Sequence, residues 1–167
     1  MLLLLLPVAL ANEPAADVAP PPPDPAASPI TIPLSPDNPG LFRCKVDPFF
    51  VVQEGTTGQL SIKLQIDAPE HLLYVDRIGV EAKDAGGLTV GELTLPPGQP
   101  HTDPWGGDPR DVYAQDTEFT VAVTAPKGLG DRVDLSLTVF WQGCSAAMCF
   151  MPAEQTFSVP VRIKGGG

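Results

Sequence analysis

The feature that most limits what this chain can become is a strict two-residue alternation. Between Val133 and Trp141, the apolar Val133, Leu135, Leu137, Val139 and Trp141 fall on one side and Asp134, Ser136, Thr138 and Phe140 on the other. Successive side chains of a strand point to opposite faces, so this pattern buries one face of a β-strand and does not fit the 3.6-residue period of a helix. Leu60, Ile62, Leu64 and Ile66, interleaved with Ser61, Lys63 and Gln65, repeat it. Further candidates are Phe49–Gln53, Tyr74–Glu81, Thr89–Leu95, Phe119–Val123 and Thr156–Ile163, with the Val133 strand starting at Asp131. Gly- and Pro-bearing turns separate them, among them Gly86-Gly87, Pro96-Pro97-Gly98 and Lys127-Gly128-Leu129-Gly130. About seven short strands and no useful helical period predict an all-β chain folded as an antiparallel sandwich. The Gly128/Gly130 pair follows no strand–helix unit and reads as a turn, not a phosphate loop.

Around this segment the chain carries appendages. Residues 1–11 read as a signal peptide: Leu2 to Leu6, Pro7 and Val8 form a short apolar run, and Ala9-Leu10-Ala11 fits a small-x-small cleavage pattern. The run is too short to span a bilayer. Residues 12–40 are expected to form a disordered, extended tether, since ten prolines lie between positions 14 and 39 and leave too little apolar surface to bury. The folded domain is placed at 41–164, followed by a Gly tail at 165–167. With 167 residues in all, a core can form without disulfides. Twenty acidic against ten basic residues, a net charge of −10, argue against nucleic acid or an anionic membrane surface as partner.

Two of the three cysteines, Cys144 and Cys149, follow the Val133–Trp141 strand with four residues between them. A strand therefore delivers them to a turn. A four-residue excursion that folds back can bring two Cα atoms within the roughly 4.4–6.8 Å that a disulfide needs. As a staple such a bond is weak, because closing a loop of about six residues contributes only some 2 kcal/mol. Spacing alone leaves a local structural clip and a redox-active pair equally open. No Lys, Arg or His stands between or directly beside the cysteines, so reactivity is expected to come from a partner or from local rearrangement.

Phe140-Trp141-Gln142-Gly143-Cys144, followed by Cys149-Phe150-Met151-Pro152-Ala153-Glu154, resembles the aromatic-Gln-Gly-Cys … Cys-aromatic-x-Pro-x-Glu signature of the N-terminal periplasmic domain of the DsbD thiol:disulfide interchange family. His71-Leu72-Leu73-Tyr74-Val75-Asp76-Arg77-Ile78 is similar to that family's Leu-Tyr-x-x-x-Ile segment, and His101-Thr102-Asp103-Pro104-Trp105-Gly106-Gly107, running on to Val112-Tyr113, resembles its cap loop. Together the motifs span about residues 47–163, with one residue fewer between the cysteines than is usual and Trp105 where a Phe is common.

The resemblance implies an immunoglobulin-like β-sandwich in the periplasm. It implies that Cys144 and Cys149 shuttle between dithiol and disulfide, as in a protein-disulfide reductase, without cofactor or metal. Electrons would come from a membrane-embedded donor of the DsbD or CcdA type and pass to periplasmic oxidoreductases of thioredoxin fold, with no membrane insertion of this domain. Cys149 would be the nucleophile and Cys144 the resolving residue. Trp105, with Asp103 beside it, would cap the pair, and Tyr74 would lie near it. Because the resemblance covers the N-terminal domain alone, the donor is expected on a separate protein.

Two other readings compete. Cys144, Met148, Cys149 and Met151 are soft ligands that suit Cu(I), with His71 or His101 to complete a set. Alternatively the sandwich is purely structural and the cysteine pair an incidental clip. Cys44 fits no motif and reads as a free thiol, an intermolecular bridge or a small buried hydrophobe.

Overall fold

The computed structural model describes residues 41–165; the signal peptide and tether expected at 1–11 and 12–40, and the end of the Gly tail, lie outside the described residues. Twelve strands make up the described chain: β1 (Phe42–Val46), β2 (Phe50–Gln53), β3 (Thr57–Ile66), β4 (Leu72–Tyr74), β5 (Gly79–Asp84), β6 (Thr89–Thr94), β7 (Gln99–His101), β8 (Arg110–Tyr113), β9 (Thr117–Thr124), β10 (Arg132–Trp141), β11 (Gly143–Cys144) and β12 (Ala153–Lys164). They form three four-stranded sheets, in the orders β1-β3-β9-β6, β2-β12-β10-β5 and β11-β4-β8-β7.

The first two sheets face each other as an immunoglobulin-like sandwich. On β3, Leu60, Ile62 and Leu64 are fully buried; Val121 and Val123 of β9 meet them from the same sheet, and Leu135, Leu137 and Val139 of β10 with Val161 of β12 from the opposite one. The alternation seen in the sequence thus becomes one contiguous core, each such side chain contributing roughly 1.5–3 kcal/mol by leaving water. All pairings are antiparallel except β2 with β12, which run parallel from Val161↔Phe50 to Lys164↔Gln53. Pro160, inside β12, sits just before that pairing begins, so its missing N–H deprives β2 of no ladder bond.

β1 continues the sandwich at an edge. Phe42 and Cys44 point inward while Arg43 and Lys45 point out. Its five-residue alternation is short and follows the Pro-rich stretch directly, so it went unread in the sequence. The continuous strand expected over Tyr74–Glu81 is instead broken by a single 3-10 turn at Val75–Arg77, closed by the Ile78 N–H donating to the Val75 carbonyl at 3.2 Å. The reason is burial: Tyr74 packs into the small third sheet and Ile78 into the sandwich, and the turn carries the chain from one to the other.

Candidate functional site

The third sheet is built from strands of two to four residues, and its buried cluster is small: Tyr74, Val112 and Cys144, with Leu72 packed against them. β10 leads into it. After Trp141, the Gln142 carbonyl accepts from the Tyr74 N–H (3.2 Å), and β11 pairs with β4 through Gly143↔Leu73 and Cys144↔Leu72. Glycine at 143 has a steric cause, since a Cβ there would lie 2.2 Å from the tip of the buried Phe42 ring.

From Cys144 the chain turns back on itself. The Ser145 N–H donates to the Met148 carbonyl (2.8 Å) and the Phe150 N–H to the Gly143 carbonyl (2.9 Å). Cys144 and Cys149 form the antiparallel bridge between these two bonds, which makes them a non-hydrogen-bonded pair, the position at which facing side chains come closest. The Ser145 hydroxyl completes the turn, accepting from the N–H groups of Ala147 (3.3 Å) and Met148 (3.2 Å). The sulfurs are joined in a disulfide, with Cα atoms 3.9 Å apart. This is tighter than the usual separation because the connecting loop is a two-residue hairpin turn.

The two halves of the bond face different surroundings. Cys144 is 1% exposed, whereas Cys149 is an exposed residue, next to Met148 and close to Met151, which are 58% and 64% exposed. The Tyr74 hydroxyl lies 3.8 Å from Cys149 Sγ and donates to Asp103 Oδ1 at 2.5 Å. Burial, reinforced by the Asp103 carboxylate, pushes the Tyr74 phenol up to about 12. The Arg110 guanidinium lies 4.0 Å above the Tyr74 ring and is itself gripped by both oxygens of Asp76 at 2.7 and 2.8 Å. His101 Nε2 stands 3.7 Å from Asp103 Oδ1.

Of the residues singled out in the sequence, Tyr74, Asp103 and Cys149 are brought together around one sulfur. Trp105 is two positions beyond Asp103 in a turn closed by the Gly106 N–H donating to the Asp103 carbonyl (2.9 Å); it is 56% exposed and in the described structure pairs with no other ring. Cys44 is buried within the sandwich at 7% exposure, in a cluster separate from that of Cys144, and burial pushes its thiol up to about 12. It is a small hydrophobe of the core. Arg110 was missed, because nothing in the sequence connects it with a tyrosine thirty-six positions earlier. Among the described residues no three His, Cys, Asp or Glu side chains are grouped to hold a metal ion, and no helix is long and apolar enough to cross a membrane.

Comparison with known proteins places this geometry. The profile of the family described as thiol:disulfide interchange protein DsbD, N-terminal, matches residues 44–160. Among solved structures the chain is similar to the Neisseria meningitidis DsbD N-terminal domain in its reduced form, at 19% identity, over 62% of this chain and 78% of that one, with a TM-score of 0.50. At that identity the likeness speaks for the fold. The Bacillus cereus major pilin subunit BcpA matches over 72% of this chain and 39% of its own at 12% identity, with a TM-score of 0.39. The Escherichia coli fimbrial subunit AggA matches over 74% and 94% at 9% identity, with a TM-score of 0.36. Neither bears on function. No curated protein matches the sequence.

Proposed function

The chain belongs to the family of the DsbD N-terminal domain, and on that premise we propose that it is a periplasmic electron carrier working through Cys144 and Cys149. The observation that carries this reading is the asymmetry of the disulfide, with Cys149 an exposed residue and Cys144 a buried one. An incoming thiolate can reach Cys149 Sγ. It forms a mixed disulfide there, and the Cys144 sulfur leaves with the electron pair of the broken bond and takes up a proton. A second thiol of the donor then displaces Cys149, so that two electrons have entered and the pair is a dithiol. Delivery runs the same steps in reverse order: Cys149 attacks the acceptor's disulfide, and Cys144 closes on Cys149 to release the reduced acceptor. The Tyr74 hydroxyl has one proton, which Asp103 holds in the disulfide form; a thiolate at Cys149, 3.8 Å from that oxygen, competes with Asp103 for it.

The donor in this reading is a membrane-embedded carrier of the DsbD or CcdA type, and the acceptors are thioredoxin-fold oxidoreductases. Trp105, Met148 and Met151 offer apolar side chains for brief docking, and the Asp103–Gly106 turn, joined to Tyr74 through Asp103, is the segment that answers to the family's cap loop. With Cys44 replaced by Ser, equilibration in glutathione buffers should give a reversible midpoint between roughly −180 and −270 mV. A pair still fully oxidised below about −300 mV is a structural clip and overturns the reading. A Cys144→Ser variant should also trap mixed disulfides at Cys149.

A further inference from the structure

Three rings stand behind the exposed cysteine. The His71 ring stacks on Phe150 with centroids 5.7 Å apart and planes 7° from parallel, and Phe42 meets both edge-on, at 6.1 Å from His71 and 6.0 Å from Phe150. Phe42 is held by the sandwich core and by its contact with Gly143. His71 precedes Leu72, the strand partner of Cys144, and its Nδ1 lies 2.8 Å from the Pro69 carbonyl oxygen, which fixes the ring's orientation. Phe150 immediately follows Cys149.

The two limbs of the hairpin are anchored unequally. The Cys144 limb is part of the third sheet. The Cys149 limb belongs to no strand until β12 begins at Ala153, paired with Trp141; between the turn and that point it is held by the Phe150 N–H to Gly143, by the Gln142 side-chain amide donating to the Phe150 carbonyl (3.0 Å), by the ring stack, and by the disulfide. When the disulfide opens, the cross-link between the limbs is lost, and how closely Cys149 stays beside Cys144 depends on the short turn that joins them and on the remaining contacts.

We propose that His71 is a positioning residue: stacked on Phe150 and backed by Phe42, it seats the Cys149 limb in the dithiol state and thereby sets how readily the pair closes. The equilibrium concerned is the reaction of the dithiol with glutathione disulfide. The Cys144 and Cys149 thiols give up two electrons and two protons, one protein S–S bond forms, and the S–S bond of glutathione breaks to yield two glutathione thiols. Holding two reacting groups together raises their effective concentration, so the seat favours closure and makes the pair harder to reduce. The inference rests on the exchange reading only in that the pair must open and close.

The test is a thiol–disulfide equilibrium on the whole chain carrying Cys44→Ser, in glutathione and, for pairs beyond its range, dithiothreitol buffers. The His71→Ala variant should show an equilibrium constant for oxidation about three- to tenfold lower, the span an aromatic pair of this kind carries. His71→Phe, which restores a stacking ring, should recover most of it. Phe150→Leu keeps apolar bulk without the ring and should give a similar drop, and combining it with His71→Ala should lose less than the sum of the two, because the stack they share can be lost only once while each also loses its own edge contact with Phe42. Constants within twofold of the parent for His71→Ala, no recovery with His71→Phe, or fully additive losses in the double variant would each overturn the proposal. The parent's own midpoint tests the exchange reading, whereas the ratio of variant to parent tests the seat.

Discussion

The sandwich and the third sheet are two solutions to holding strands together. In the sandwich, ten-residue strands such as β3 and β10 bury aliphatic side chains completely, and the core runs unbroken between two sheets. In the third sheet, β11 has two residues and β4 three, the buried cluster has three members, and two of these, Tyr74 and Cys144, belong to the proposed exchange site. The difference teaches that stability and reactivity are housed apart. A redox pair must open, change partner and close again, and such movement draws on the least tightly packed part of a molecule. A neighbouring sandwich keeps that part in place.

The sharpest way to break this division is to damage each side alone. Leu137→Ala, in the middle of β10, should destabilise the fold by about 2–5 kcal/mol in urea unfolding. The glutathione midpoint of the protein that remains folded should stay unchanged; a shifted midpoint would mean that the two regions are not separate. Replacing both Cys144 and Cys149 by Ser should do the converse, abolishing exchange while costing only about 2 kcal/mol of stability, because the closed loop is so short.

Gly143→Ala tests the seam, where the Phe42 ring of the sandwich lies against the hairpin. Overpacking of this kind costs about 1–3 kcal/mol. Unlike the core variant, it should alter both unfolding and the redox midpoint.

The smallest effect is expected from Tyr74→Phe, which keeps the ring but removes the hydroxyl from Asp103 and Cys149, at a cost of about 1 kcal/mol. Its signature lies in pH. The folded phenol titrates at about 12, against about 10 in the unfolded chain. Folding therefore favours the neutral phenol. The stabilisation is fully present below about pH 10 and is lost as pH rises from there through 12. Burial holds both tyrosine phenols up, so phenolate absorbance should show two late-titrating groups in the parent and one in Tyr74→Phe, and Asp103→Asn should bring the Tyr74 step to lower pH.

Much of the sandwich was legible because its strands are long enough for alternation to declare itself, as at Leu60–Ile66 and Val133–Trp141. The third sheet was not. β7 carries a proline in three residues, and β8 reads Arg-Asp-Val-Tyr, too short for a period to be counted. The cysteine pair was visible from its spacing and the motifs around it, and so were Tyr74 and Asp103 as neighbours in a family pattern. That Tyr74 donates to Asp103 beside Cys149, that Arg110 covers its ring, and that Cys44 is a core residue required the fold.

The sequence by itself determined that the chain forms strands with one buried face, and it made a bond between two cysteines across a tight turn sterically open, because both follow from side chains close along the backbone. Only the tertiary structure decided which cysteine is exposed and which rings pack beside it. Phe42, His71 and Phe150 are brought together, and Arg110 is laid over Tyr74, by sheet order and register, and these are set by the burial of the whole sandwich and not by any local pattern.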